Sequence, residues 1–145
     1  MRKKAFTLIE LLVVMSIITI FSTVTFTSYK YISKFKDNEE LEYSTNICID
    51  FILKSKNYCK NNNKNGYILY VRNKNSLYFS SDIKDGEYMP LPENVTIDET
   101  PFITKGVKIN EDGVIGSAGS INLKNKSNKR KRVIISVYTN YIREE

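Results

Sequence analysis

The chain has 145 residues, of which 41% are apolar and 26% are charged, and its formal net charge is +6. Two cysteines and no histidine are too few donors for a zinc cluster, and the sequence contains neither a glycine-rich phosphate loop nor a nucleophile elbow. The composition therefore argues against an enzyme, a metal site or a cofactor, and the length leaves room for one small domain.

The N-terminus combines three basic residues, Arg2, Lys3 and Lys4, with an apolar run over 6–26. At helical rise this run is about 31 Å long, which is enough to cross the hydrocarbon core of a bilayer. The basic flank should stay in the cytoplasm and leave the rest of the chain outside it. We therefore predict a single-pass cytoplasmic membrane protein, although an ordinary anchor or a secretory signal peptide would begin in the same way.

Glu10 is the one charged residue between Lys4 and Lys30. A carboxylate within a membrane segment costs about 3 kcal/mol on insertion scales, so a functional role and a partner are expected for it. The bulky residues over 23–26 offer no small-residue cleavage site, which disfavours a secretory signal peptide. A cut just before Phe6 would supply a cation, because it would create an α-ammonium group four residues from Glu10.

Residues 4–13, Lys-Ala-Phe-Thr-Leu-Ile-Glu-Leu-Leu-Val, resemble the prepilin cleavage and methylation motif of type IV pilins and pseudopilins. The resemblance implies that a prepilin peptidase cuts between Ala5 and Phe6, and that Phe6 is then N-methylated. It also implies that the N-terminal helices pack together in a filament core. There the carboxylate of Glu10 would pair with a terminal ammonium group of its own or a neighbouring subunit. The family usually has glycine at the position of Ala5.

The segment after the apolar run keeps a helical period. Apolar or small residues recur at three- and four-residue steps, as Leu41, Ser44, Thr45, Cys48, Phe51, Ile52, Ser55 and Cys59. Most charged residues, Lys56 among them, are assigned to the other faces. We predict one helix from about Phe6 to Tyr58, whose second half packs against a globular domain. Within such a helix Cys48 and Cys59 lie about 16 Å apart, so a disulfide would require the chain to turn back.

Short strand patterns follow the polar turn at 61–66. The predicted strands are 67–71, 76–80, 87–89, 95–97, 107–109, 120–123, 133–138 and 141–143, with turns at Asp85-Gly86 and Asp112-Gly113. The first two strands should form a hairpin. Its aromatic residues are Tyr67, Tyr70, Tyr78 and Phe79. Such residues are typical of half-buried strands, and an adhesive aromatic surface is the alternative.

The C-terminal third resembles the H-type minor pseudopilins, a group that includes GspH of type II secretion, FimT of type IV pili and ComGD of competence systems. The residues that carry the resemblance are 107–109, 113, 119–123 and 133–137. The final Gly-Arg/Lys-Val/Ile of that pattern is replaced here by residues 140–143. The resemblance implies an α+β fold, in which a long N-terminal helix packs on two small antiparallel sheets.

Four segments are expected on this basis. They are a prepilin leader over 1–5, a transmembrane and filament-core helix over 6–28, an amphipathic continuation of the helix over 29–60, and a β-rich extracytoplasmic domain over 61–145. Removal of the leader would leave 19 basic residues against 16 acidic ones. The mature protein would therefore be only weakly basic.

Residues 124–132 contain six cations and no acidic residue. A mobile basic hairpin of this kind could hold DNA phosphates without reading sequence, through Lys129, Arg130, Lys131 and Arg132. Some H-type relatives are associated with DNA capture. The alternative is a solvated turn, or a loop that meets anionic polymers of the cell envelope.

We therefore expect a structural minor pilin or pseudopilin subunit of a type IV pilus-like filament, serving DNA uptake or pilus assembly. The alternatives are a DNA-binding module and a pseudopilus component of type II protein secretion. The expected partners are the prepilin peptidase/methyltransferase, other pilin or pseudopilin subunits, the inner-membrane assembly platform, the membrane itself and, through the basic hairpin, DNA. The filament would lie in the envelope or at the cell surface.

Overall fold

The computed structural model describes residues 7–81, 86–98, 100–137 and 142–144. The chain divides into two compact units, the first ending at Lys36 and the second beginning at Asp37. The first helix, α1 (Leu8–Asn62), contributes residues to both units. The turn residue Asp85 and the residues 138–141, which include the first residue of the last predicted strand, lie outside the described part.

A short helix and eight strands follow α1 in the described part of the chain. They are β1 (Gly66–Val71), β2 (Ser76–Ser80), β3 (Glu87–Pro90), β4 (Val95–Asp98), α2 (Pro101–Thr104), β5 (Val107–Ile109), β6 (Gly119–Asn125), β7 (Arg130–Ile135) and β8 (Ile142–Glu144). The first sheet has the order β3-β2-β1-β5 and the second has the order β4-β6-β7-β8. Every strand pairing is antiparallel. The predicted α+β fold, a long helix with two small antiparallel sheets, is confirmed.

The helix α1 ends at Asn62, four residues beyond the predicted end at Tyr58. Asn63 then adopts a left-handed backbone conformation with φ 49°, which asparagine tolerates better than most residues. The N–H of Lys64 donates to the carbonyl of Cys59 at 3.0 Å and so satisfies one carbonyl of the last turn. The helix thus ends two residues into the asparagine-rich run, and not before it.

The predicted stripe on α1 is confirmed, because all eight of its residues are buried. Small side chains at Ser44, Thr45 and Cys48 leave little bulk between the helix and the sheets. The inner faces of the sheets supply the rest of the core, with the fully buried residues Ile68, Leu77, Val107, Ile121, Leu123 and Val133. The second unit is therefore held together by one apolar core.

The predicted hairpin is confirmed, with Leu69 of β1 opposite Tyr78 of β2. The turn is a single 3-10 turn over Arg72–Lys74, and Asn75 follows it in the left-handed region with φ 43°. The side chain of Asn75 also donates to the carbonyl of Val95, at 2.8 Å, and to that of Pro92. This asparagine therefore ties the hairpin to the start of β4.

Three local features differ from the sequence expectations. The residues after β4 form the helix α2 (Pro101–Thr104), where no helix was predicted. The strand β3 includes Pro90, which lies in an edge strand where its missing N–H leaves no partner unsatisfied. The strands β6 and β7 extend into the basic run, so that the turn between them contains only residues 126–129.

Candidate functional site

The first turn of α1 places Glu10 in a reciprocal hydrogen-bonded cap. Thr7 precedes the helix, and both its backbone N–H and its hydroxyl donate to Oε2 of Glu10, at 3.1 and 3.0 Å. The N–H of Glu10 lies 3.4 Å from the hydroxyl oxygen of Thr7. This pattern is a capping box, and it holds the carboxylate at the positive end of the helix dipole. The spacing Thr-x-x-Glu was readable in the sequence, but its capping role was not predicted.

The predicted cleavage site, Ala5 and Phe6, lies outside the described residues. Among the described residues, the hydrogen bonds of the Glu10 side chain are those with Thr7. A carboxylate offers about four lone-pair sites, so the two bonds from Thr7 leave capacity for a further donor. The pairing of Glu10 with an ammonium group stays a prediction.

The apolar residues of the first unit are exposed along the whole segment. The large ones are Leu8, Ile9, Leu11, Leu12, Val13, Val14, Met15, Ile17, Ile18, Ile20, Phe21, Val24, Phe26, Tyr29, Tyr31, Ile32 and Phe35. By length and composition α1 is able to cross a membrane, and its most apolar stretch has no buried residue. A surface of this size and composition is typical of a segment that contacts lipid or other protein chains.

Hydroxyl side chains within this segment are satisfied by the helix itself. Ser16, Thr19, Thr25 and Ser28 each donate to a carbonyl three or four residues earlier, at 2.7–3.1 Å. Because these bonds are internal, the hydroxyls add little polar surface to the helix. The segment can thus remain helical in an apolar environment despite its serine and threonine content.

Both cysteines are unbonded and buried in the same helix. Helical rise separates Cys48 from Cys59 by about 16 Å, which excludes a disulfide while α1 is intact. Burial raises the pKa of the Cys48 thiol to about 12, and it also raises the pKa of Cys59. Thiolates are the reactive form, so both side chains behave as small apolar core residues.

Lys56 was placed off the buried stripe, and the structure corrects this. It is buried, and burial lowers the pKa of its ammonium group. The turn at Gly113 lies against this part of α1, since a Cβ atom at Gly113 would come within 2.7 Å of the Lys56 carbonyl oxygen. Gly113 has φ 75°, which fits the predicted turn at Asp112-Gly113. The contact between this turn and the helix is a tertiary contact, which the periodicity of the helix sequence cannot predict.

The four cations of the predicted DNA contact do not share one surface. Lys129 lies in the turn, whereas Arg130, Lys131 and Arg132 belong to β7 and alternate between its two faces. The side chain of Lys131 is 22% exposed, and its Nζ lies 3.8 Å from Glu42 and 3.6 Å from Glu144. Lys131 therefore lies on the face of β7 that continues into the core.

Arg130 and Arg132 lie instead on the outer face of the second sheet. The strand registers place Lys124 opposite Arg130, Asn122 opposite Arg132, and Arg143 opposite Ile134 of the same face. Four cations, Lys124, Arg130, Arg132 and Arg143, thus share one surface, which we call the cationic face. Arg143 was not part of the predicted contact, because its place follows from the pairing of β8 with β7.

The cationic face contains some internal polar contacts. Nε of Arg130 lies 3.7 Å from Asp98 of β4, and Nε of Arg132 donates to Asn122 at 3.2 Å. The ion pair is exposed, and exposed pairs contribute only about 0–1 kcal/mol. Arg130 can therefore exchange its contact with Asp98 for a contact with an anion at small cost.

The family model described as the prokaryotic N-terminal methylation motif matches residues 1–26. The second comparison is structural. The minor pseudopilin EpsH from the type 2 secretion system of Vibrio cholerae has a similar structure, with a TM-score of 0.57 and 11% sequence identity, over 73% of this chain and 96% of EpsH. The chain thus joins a prokaryotic N-terminal methylation motif to a fold like that of the minor pseudopilin EpsH. No curated protein sequence matches the chain.

The methylation motif and the packed residues of α1 occupy different parts of the helix. The methylation motif covers the start of the helix and most of its exposed apolar part. The second half of the helix packs on the two sheets, in the arrangement that the H-type resemblance implies. The identity with EpsH is low, so the likeness concerns the fold alone.

Proposed function

We propose that this chain is a structural subunit of a type IV pilus-like filament, cut between Ala5 and Phe6 and then N-methylated on Phe6. The observation that supports this most is the long exposed apolar segment of α1, which begins directly after the expected cut within the methylation motif. Before assembly this segment would anchor the subunit in the cytoplasmic membrane. In the filament it would pack against the same segments of other subunits.

Glu10 would act in assembly as the acceptor of a terminal ammonium group. Its capping box with Thr7 fixes the carboxylate at the first turn of α1. A carboxylate in an apolar bundle needs compensation by a donor or a cation, and a neighbouring amine would supply both. The cap would then orient the acceptor, and the ammonium group would set the register between subunits.

DNA uptake or pilus assembly is our preferred setting for this filament. A pseudopilus of type II protein secretion is the alternative, and the fold likeness to EpsH is compatible with it. In each setting the partners would be the prepilin peptidase/methyltransferase, other subunits and the inner-membrane assembly platform. We propose no enzymatic activity for the chain itself.

The processing step is tested by mass spectrometry of the protein from membranes that contain an active prepilin peptidase. We expect an N-terminal peptide that begins with methylated Phe6. The matched control is the same protein from cells without the peptidase, which should keep Met1–Ala5. Retention of these residues in both preparations would contradict the proposal.

DNA binding by the cationic face is a second candidate function. Its support is the clustering of Lys124, Arg130, Arg132 and Arg143 on one sheet surface with a single acidic neighbour, Asp98, in the described part. Such a surface would contact phosphates and would be strongly sensitive to salt.

The test compares retention of duplex DNA by the full chain in neutral nanodiscs. The double variant Arg130→Gln/Arg132→Gln should weaken binding about 10-fold or more at low salt, because phosphate contacts dominate such affinity. The control Lys131→Gln removes one cation from the other face and should have a smaller effect. Equal retention by all three proteins would exclude this role.

A further inference from the structure

The outer face of the first sheet carries an exposed row of aromatic and apolar side chains. The strand registers place Leu69 of β1 opposite Tyr78 of β2, and Tyr78 opposite Tyr88 of β3. Tyr67 lies on the same face, two residues before Leu69. The exposed fractions are 46% for Tyr67, 37% for Leu69 and 48% for Tyr88. We call these four residues the tyrosine face.

The rings of Tyr78 and Tyr88 pack against each other, and the side chains of Tyr67 and Tyr88 are each about half exposed. Tyr78 and Tyr88 have ring centroids 4.6 Å apart at an interplanar angle of 41°. Gly86 lies directly over the ring of Tyr78, because a Cβ atom there would come within about 2.0 Å of three of its atoms. Tyr78 is therefore packed against both Gly86 and Tyr88, while about half of Tyr67 and of Tyr88 stays accessible.

Lysine side chains lie at both ends of the tyrosine face. Nζ of Lys74 is 4.3 Å from the ring centroid of Tyr88, and Nζ of Lys108 is 5.9 Å from that of Tyr67. None of the described side chains that the registers place on this face is acidic. Glu87, the acidic residue of β3, points to the other side, where it pairs with Lys54 of α1. The surface thus combines ring faces with positive charge.

We propose that the tyrosine face binds single-stranded nucleic acid. Exposed rings beside cations and without acids are the recurring chemistry of single-strand binding, in which bases stack on aromatic side chains and phosphates contact lysines. With the usual spacing of strands and residues, the Cα atoms of Tyr67 and Tyr88 are about 12 Å apart, a span of a few nucleotides. A duplex keeps its bases stacked inside and cannot use the rings in this way. The proposal concerns a different surface from the cationic face and does not depend on filament assembly.

The experiment measures the fluorescence anisotropy of a labelled dT12 oligonucleotide with the full chain in neutral phosphatidylcholine nanodiscs. An abasic 12-mer with the same number of phosphates is the comparison ligand. We expect dT12 to bind at least about 10-fold more tightly, since each stacked base contributes strongly to affinity. Because the chain contains no tryptophan, its tyrosine emission should also be quenched by dT12 and not by the abasic strand.

The double variant Tyr67→Leu/Tyr88→Leu should lose about 10-fold or more in affinity for dT12 and bind it like the abasic strand. Tyr67→Phe/Tyr88→Phe keeps both rings and should retain the preference for bases. Tyr43→Leu, at an exposed tyrosine of α1, is the matched control and should bind as the unchanged chain does.

Three results would overturn the proposal. Equal affinity for dT12 and the abasic strand would show a phosphate contact only. A preference for bases that survives Tyr67→Leu/Tyr88→Leu would place the stacking elsewhere. Absence of dT12 binding by the folded, unchanged chain would exclude single-stranded nucleic acid as the ligand and favour a protein partner for the tyrosine face. Failure of this proposal would leave the processing of Phe6 unaffected, because mass spectrometry measures that step separately.

Discussion

The two parts of α1 on either side of Lys36 show opposite relations between polarity and burial. In the first part large apolar side chains such as Leu8 and Phe21 are exposed. In the second part the polar residues Ser44 and Thr45 have no exposed surface. Their hydroxyls donate to the carbonyls of Glu40 and Leu41, at 2.6 and 2.8 Å, so their burial leaves no polar group unsatisfied.

One continuous helix can therefore have two parts that suit different surroundings. The second part has its partner within the chain, since the two sheets cover it with apolar side chains. The large apolar side chains of the first part are exposed, and a surface of this composition is typical of contact with lipid or with other helices. Hydrophobicity alone therefore predicts the wrong part of α1 as the core of the domain.

The largest expected effect concerns the first part and is a loss of filament incorporation. Glu10→Leu removes the carboxylate and makes the segment more apolar, so membrane insertion should persist while incorporation fails. The measurement is the fraction of the subunit in sheared filaments relative to membranes. Leu11→Ile is the matched control at a neighbouring position and should incorporate normally. Normal incorporation of Glu10→Leu would contradict the assembly role of this residue.

The next effect concerns adjacent residues of the second part. Ile52 is fully buried, and Ile52→Ala should lower the free energy of unfolding by about 2–5 kcal/mol, through lost apolar burial and a cavity. Leu53 is 41% exposed, so Leu53→Ala should change it by about 0.5 kcal/mol or less. Denaturant unfolding followed by circular dichroism compares the two. Similar losses for both variants would mean that α1 packs differently from the structure.

The smallest effect is the pH dependence contributed by Cys48. Its pKa of about 12 in the folded chain lies above the ordinary value of 9.0, so the folded state binds more protons between these values. Its contribution to stability is complete below pH 9 and falls with rising pH, by up to about 1.4 kcal/mol per pH unit. Cys48→Ala should therefore show a shallower loss of stability between pH 8 and pH 10. Identical slopes for the two proteins would count against this account of the buried thiol.

The periodic features of the chain were predictable from the sequence. The stripe from Leu41 to Cys59 follows from helical geometry, and the hairpin of β1 and β2 follows from alternation and a short polar turn. These patterns are local. A few residues therefore suffice to recognise them.

Features that depend on tertiary contacts were missed. Lys56 is buried because the turn at Gly113 covers that part of α1, and nothing near Lys56 in the sequence indicates this contact. The strand β7 begins at Arg130, although arginine and lysine are not strong strand formers, because pairing with β6 overrides local preference. The cationic face likewise includes Arg143 only through the pairing of β8 with β7.

The burial of both thiols has a practical consequence for labelling. Both thiols are buried, and burial raises the pKa of each, so maleimide reagents should modify them slowly in the folded protein. A single cysteine introduced at an exposed position of α1, such as Asn57→Cys, would then take up a dye selectively without removal of the native residues. The natural chain is thus already suited to following individual subunits by fluorescence.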